Sequence, residues 1–152
     1  MRLPKQVLII PYRITNNKIE YCIFKRKELQ IWQWVSGGAE DFDKDILETA
    51  KREFFEETQI SDVKIEALEA RTTIPVVGIM KDFVWGKDVF FATEYTFATN
   101  IGNKQITLGD EHEEYRWVDY EEARDLLKFD SNRNALWELD VKLKRRIESV
   151  DK

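Results

Sequence analysis

The chain has one cysteine, Cys22, and one histidine, His112, among 152 residues. A lone cysteine excludes an intramolecular disulfide and any cysteine-rich zinc site, and it fits a reducing, cytoplasmic setting. Long hydrophobic runs are missing too. The apolar stretch near the start, Val7 to Ile10, is four residues long, too short for a membrane span or a secretory h-region, so no membrane association is expected. There is no excess of basic charge: 24 Lys and Arg stand against 29 Asp and Glu, for a net charge of -5. General affinity for nucleic acid needs basic surface, so no nucleic-acid partner is expected. Repeats, low-complexity tracts and linkers are also missing.

What is present suits a packed domain. Hydrophobic residues make up 43% of the chain, with five Trp and nine Phe, enough for a core without staples and too much for a disordered chain. The length suggests a single domain over 1–152.

Gln6 to Ile14 and Lys18 to Phe24 are rich in β-branched residues and flank the polar Thr15-Asn16-Asn17, so they read as two strands joined by a turn. Pro11 within the first suggests an edge position or a bulge. Trp32 to Val35 reads as a short strand ending in a turn at Ser36-Gly37-Gly38. Asp45 to Thr58 is the strongest helix of the first half: Ile46, Leu47, Ala50 and Phe54 recur at helical spacing, and Asp41, Asp43 and Asp45 gather at its start. Strands are expected at 63–74 and 89–98, with a 76–86 loop between them carrying an exposed Trp85. A short strand at Tyr115 to Val118 and a helix at Tyr120 to Leu127 follow. A last helix, capped by Asp130 or Ser131 and running to about Ser149, places Leu136, Leu139, Leu143 and Ile147 on one stripe. The order predicts an α+β fold, a mixed sheet packed between helices.

The chemistry concentrates in Arg52-Glu53-Phe54-Phe55-Glu56-Glu57. On a helix, Glu53, Glu56 and Glu57 stand at i, i+3 and i+4 and share one face, while Phe54 turns toward Leu47 and Ala50. Like charges so spaced repel by about 0.2–0.5 kcal/mol per pair. Their place in the last turns, where the dipole is already negative, adds about 0.3–1 kcal/mol each. Either this is a solvated acidic face, or a hard divalent cation relieves the repulsion; all-oxygen ligands favour Mg²⁺, Mn²⁺ or Ca²⁺ over zinc. The upstream Gly-Gly offers bare backbone that a ligand can approach.

Gly38 through Ile60 resembles the Nudix box: Gly, five residues, Glu, seven residues, then Arg-Glu-apolar-any-Glu-Glu-any-Gly-apolar. The spacing holds across the segment, with Lys44 in place of the first Glu and Gln59 in place of the last Gly. Outside it, Ile31-Trp32-Gln33, Glu111-His112-Glu113-Glu114-Tyr115-Arg116-Trp117 and Ser131-Asn132-Arg133 are similar to the dihydroneopterin triphosphate pyrophosphatase branch of that family.

The resemblance implies a Nudix-like α/β/α sandwich and a pyrophosphohydrolase that splits a phosphoric anhydride bond. Its substrate would be a small molecule, a nucleoside or pterin triphosphate (a nucleoside diphosphate linked to another group), and its cofactor Mg²⁺ or Mn²⁺. Glu53, Glu56, Glu57 and Glu111 would hold the metal with the Gly38 carbonyl, and Arg52 would orient a glutamate of that set by a bidentate pair. Arg52 has an alternative as a surface partner of Glu48 or Glu56. Glu111 is the candidate general base, with the box glutamates, Glu113 and Glu114 as competitors; His112 is given no catalytic role. Arg26 and Trp32 are candidate substrate contacts, Arg26 for phosphate and Trp32 for a ring, with a solvated strand end and a core aromatic as the respective alternatives. Lys44 keeps a second function open, a non-catalytic nucleotide-binding or sensor domain. Relatives imply a monomer or homodimer.

Overall fold

A computed structural model describes residues 1–76 and 84–150. The elements are β1 (Arg2–Thr15), β2 (Lys18–Arg26), β3 (Trp32–Gln33), β4 (Val35–Glu40), α1 (Ile46–Thr58), β5 (Ile65–Pro75), β6 (Phe91–Asn100), β7 (His112–Val118), α2 (Tyr120–Leu126) and α3 (Asp130–Val150). They build one seven-stranded sheet in the order β3-β2-β1-β6-β5, with β4 also pairing β1 and β7 pairing β2. The β1–β6 pair is parallel and the others are antiparallel. This is the expected mixed sheet between helices. Among the described residues no helix is long and apolar enough to cross a membrane.

β1 is central. Val7 and Ile9 face α1, packed with Phe24, Ala50 and Phe54, whereas Leu8 and Ile10 face the opposite layer with Trp34 and the Leu136 and Leu139 of α3. A strand covered on both faces needs no polar alternation, which accounts for the unbroken run Val7 to Ile10. The Asn16-Asn17 turn has φ of 53° and 63°, the left-handed pair that a two-residue hairpin demands and that asparagine tolerates.

Pro11 is not on an edge. It pairs with Thr99 of β6 on one side of the central strand. On the other side it falls between Ile9, the last residue paired with β4, and Tyr12, the first paired with β2. A residue without an N–H is accommodated where β1 changes partner.

The single strand expected at Trp32 to Val35 divides at Trp34. Its amide donates to Asn132 Oδ1 at 3.0 Å and its indole Nε1 to the Asn132 carbonyl at 2.9 Å, so the buried ring is held by α3 instead of by a strand partner. The expected Gly37-Gly38 turn is strand, since β4 continues to Glu40. Trp85 is half-buried, not exposed: Nε1 donates to the Arg2 carbonyl at 2.7 Å. The rest of the loop expected at 76–86 lies largely outside the described residues.

The stripe of α3 packs as its spacing predicts, with Leu136, Leu139 and Leu143 buried, but Glu138 is buried beside it. The reason lies in β5, where Leu68, Glu69 and Ala70 stand opposite Thr96 in a bulge. The Glu138 carboxylate accepts from the Glu69 and Ala70 amides, both at 2.7 Å, and Thr96 Oγ1 donates to the Ala70 carbonyl at 2.6 Å. Burial pushes the Glu138 carboxyl up, but the bonds from Lys142 and the two amides outweigh it and leave it below its usual value.

A carboxyl lowered on folding stabilises the fold while ionised, and that contribution is lost as pH falls through its folded value. Glu138→Ala is therefore expected to lose about 2–3 kcal/mol at pH 7. In urea unfolding the deficit should shrink as the pH drops below about 4.

Candidate active site

Asp45 caps α1, accepting from the Glu48 amide at 2.9 Å. The helix ends with Gln59 in the left-handed conformation at φ 62°, its amide donating to the Phe55 carbonyl. Gln59 thus adopts the backbone that a terminal Gly takes more easily. The carbonyls of Glu57 and Thr58, left over at the helix end, accept from the amides of Gly109 and Thr107 at 3.2 and 3.1 Å. That docks the segment leading into β7 onto the acidic end of α1. Gly109 must be bare there, because a Cβ would sit 2.8 Å from the Glu56 carbonyl oxygen.

Glu53, Glu56 and Glu57 share the face that their spacing predicts, and Phe54 is buried on the other side. Gly37 supplies room for the cluster: a Cβ on it would lie 2.0 Å from Glu53 Cδ. Burial first, then the charge of Glu56, raises the Glu53 carboxyl to about 7, with Arg52 opposing and Glu111 adding to the rise. Glu111, in the turn before β7, is raised by desolvation and by Glu57, against the pull of Arg26. Carboxylates some fifty residues apart in sequence therefore repel across one space.

Arg52 joins the parts. Its Nε and one terminal nitrogen bind the two oxygens of Asp43 at 3.0 and 2.9 Å, and that same nitrogen donates to the Gly38 carbonyl at 2.9 Å. The other terminal nitrogen reaches Glu53 Oε1 at 3.0 Å and Glu56 Oε1 at 3.3 Å. The bidentate partner is thus Asp43 and not a helix glutamate, while Glu53 and Glu56 each take a single bond. Asp43 also accepts from the Glu40 amide and from Thr49 Oγ1, and the hydrogen bonds from Arg52 hold its carboxyl well below the usual range. Lys44, the departure from the box pattern, is exposed.

The structure brings together Arg52, Glu53, Glu56, Glu57, Glu111 and the Gly38 carbonyl, with Arg26 close enough to act on Glu111. Trp32 is not among them. It packs on the far face of the sheet, beside the core shared with α3, and Arg116 covers its ring at 4.9 Å. His112 takes a part that sequence reasoning did not assign, and Asp43, which the sequence offered with Glu40 as a substitute for the carboxylate replaced by Lys44, is the partner of Arg52. His112 is fully buried and its Nδ1 lies 2.9 Å from Glu57 Oε2. The signal for Asp43 was its place next to the missing box carboxylate.

The donors are all oxygen, they crowd a partly desolvated space and they repel one another, which fits a hard divalent cation. As they stand, among the described residues no three acidic or histidine side chains converge as a ready cage. Arg52 binds Glu53 and the Gly38 carbonyl, and His112 contacts Glu57.

Asp43→Asn is expected to destabilise the protein by about 2 kcal/mol at pH 7, since the charged bond to Arg52 is lost. Asp43 is lowered on folding, so its contribution fades as pH falls; the difference from the unaltered protein should narrow below about pH 4 in thermal or urea unfolding.

Residues 5–138 match the profile described as NUDIX domain. Among solved structures, a protein described as a Nudix hydrolase from Listeria monocytogenes is 39% identical over 95% of this chain and 97% of its own, with a TM-score of 0.83. The E. coli dihydroneopterin triphosphate pyrophosphohydrolase is 23% identical over 89% of this chain and 93% of its own, TM-score 0.73. A C. elegans Ap4A hydrolase is 19% identical over 91% and 96%, TM-score 0.72, and like the E. coli enzyme shares the fold. No curated protein sequence matches the chain. The profile match spans most of the sequence and takes in the carboxylate cluster on α1, and the chain belongs to the Nudix hydrolase family.

Proposed function

We propose that this pyrophosphohydrolase cleaves the pyrophosphate bond of a nucleoside or pterin triphosphate, using Mg²⁺ or Mn²⁺. The observation that carries this reading is the meeting of Glu53, Glu56 and Glu57 on α1 with Glu111 ahead of β7, in a space where Glu56 and Glu111 raise the Glu53 carboxyl and Glu57 and Glu56 raise that of Glu111. Those four and the Gly38 carbonyl would hold the cation. When bound, it supplies charge neutralisation for a polyanionic diphosphate and polarises its phosphoryl oxygens.

The chain's own groups do the rest. Arg52, held by Asp43, orients Glu53 and Glu56 from one side. Glu111 takes the proton from the attacking water, a task that suits a carboxyl raised above its ordinary value. Arg26, at the end of β2 near Glu111, meets the substrate's phosphates. The pterin class is kept because the segments around Trp32, Glu111 and Asn132 resemble that branch. We place the enzyme in the cytoplasm, in keeping with its single, buried Cys22.

The sensor reading rests on Lys44, and two observations weigh against it. Lys44 faces solvent, and its neighbour Asp43 provides the carboxylate that pairs with Arg52. A binding module would have little use for a complete set of helix glutamates.

Incubation with Mg²⁺ or Mn²⁺ and a panel of pterin and nucleoside triphosphates is expected to release pyrophosphate or phosphate. Glu57→Gln should lower kcat by orders of magnitude, and Glu111→Gln by about 10²–10⁴-fold if it is the base. No turnover with any diphosphate compound would favour the sensor, and turnover equal in Glu57→Gln would remove Glu57 from the catalytic site.

A further inference from the structure

The catalytic reading leaves the chain's one histidine without a task, yet the backbone is bent to put it where it is. In β7 a regular alternation would send Tyr115 and Glu113 toward α1 and His112 to the far face. The pairing instead runs Lys25 with Glu114 and then Arg26 with His112, so Glu113 is an extra residue. That bulge turns His112 onto the α1 face, where its ring lies 5.3 Å from the ring of Phe24 and its side chain is wholly buried. Glu113 is thrown outward, accepting from Gln30 Nε2 at 2.7 Å. Re-aiming one side chain beside a site is a recurrent use of bulges.

The contact made by this buried ring has a direction. His112 Nδ1 lies 2.9 Å from Glu57 Oε2, while Nε2 is buried with no hydrogen-bond partner among the described residues. A buried N–H without an acceptor costs about 1–3 kcal/mol. The proton therefore belongs on Nδ1, donated to Glu57, and Nε2 stays bare. One oxygen of Glu57 is committed by this bond and Oε1 is left for another partner. On the same turn, the Glu111 carbonyl accepts from the Lys27 amide at 3.0 Å, so the bulge sets the backbone of Glu111 together with the ring of His112.

We infer that His112 is a positioning residue: its Nδ1–H fixes the Glu57 carboxylate through Oε2 so that Oε1 is the atom presented to a divalent cation. The inference rests on Glu57 being a cation ligand, and it adds a structural requirement for that role. Partners behind metal ligands commonly govern affinity in this way.

The test is Mn²⁺ titration by calorimetry of the substrate-free full chain, comparing the unaltered protein with His112→Phe and His112→Asn. Phe keeps a ring against Phe24 and has no donor; Asn places an amide N–H near the Nδ1 position. His112→Phe is expected to bind Mn²⁺ about 10–100-fold more weakly, and His112→Asn within about threefold of the unaltered protein. With substrate, kcat should fall in His112→Phe with KM little changed, and recover in His112→Asn. Nitrogen NMR of the single histidine should show Nδ1 protonated and Nε2 bare.

Unchanged Mn²⁺ affinity in His112→Phe, an equal loss in His112→Asn, or a proton on Nε2 would each overturn the inference. If the unaltered protein itself ignores Mn²⁺, the cation role of Glu57 falls and this one with it. Binding that is normal in the unaltered protein and indifferent to the variants removes only the role of His112. Should His112→Phe fail to fold by circular dichroism, the Asn variant and the NMR tautomer decide.

Discussion

One guanidinium holds the site in register. Arg52 reaches back from α1 to the Gly38 carbonyl of β4, grips both oxygens of Asp43 in the connecting loop, and extends its remaining nitrogen to Glu53 and Glu56. Strand, loop and helix are thereby locked at the one place where acidic side chains crowd together. A planar fork with fixed donor directions can do this where a flexible ammonium would not. The same network offsets part of the repulsion among the glutamates, so that the cluster persists in a folded chain.

The second constraint is the sheet. β1 lies between partners on both sides and exchanges β4 for β2 around Pro11. That exchange lets β4 carry Gly37 and Gly38 past α1 on one side while β2 carries β7 and Glu111 toward the same helix. The segment through Gly109 then caps the acidic end of α1 with its amides. Two backbone irregularities finish the work. The bulge in β5 receives Glu138 from α3, and the bulge in β7 delivers His112 to Glu57. Both bury a polar side chain only because a specific partner waits for it.

Much of the site was legible because it is local. Glu53, Glu56 and Glu57 fall on one face of a helix by spacing alone, and the helix and the buried Phe54 follow from the same periodicity. The Asn16-Asn17 turn and the α3 stripe are of this kind. The misreadings share a different cause. Pro11 looked like an edge residue or a bulge, Gly37-Gly38 a turn and Trp32 to Val35 one strand, because each was judged by its neighbours in sequence. Their roles are set by residues far away: Thr99, Glu53 and Asn132.

By itself the sequence determined that a helix bears three carboxylates and an arginine at fixed intervals, since helical geometry is a property of a short segment. It also determined that a mixed sheet would form, from the order of its periodic runs. Only the tertiary structure decided that Asp43 takes the fork of Arg52, that Glu111 faces α1, and that His112 points to Glu57. Those are contacts between segments tens of residues apart, and a single inserted residue in β7 reverses which side chain faces the helix. No local pattern encodes such an inversion, because strand register is fixed by the partner strand and the packing beneath it.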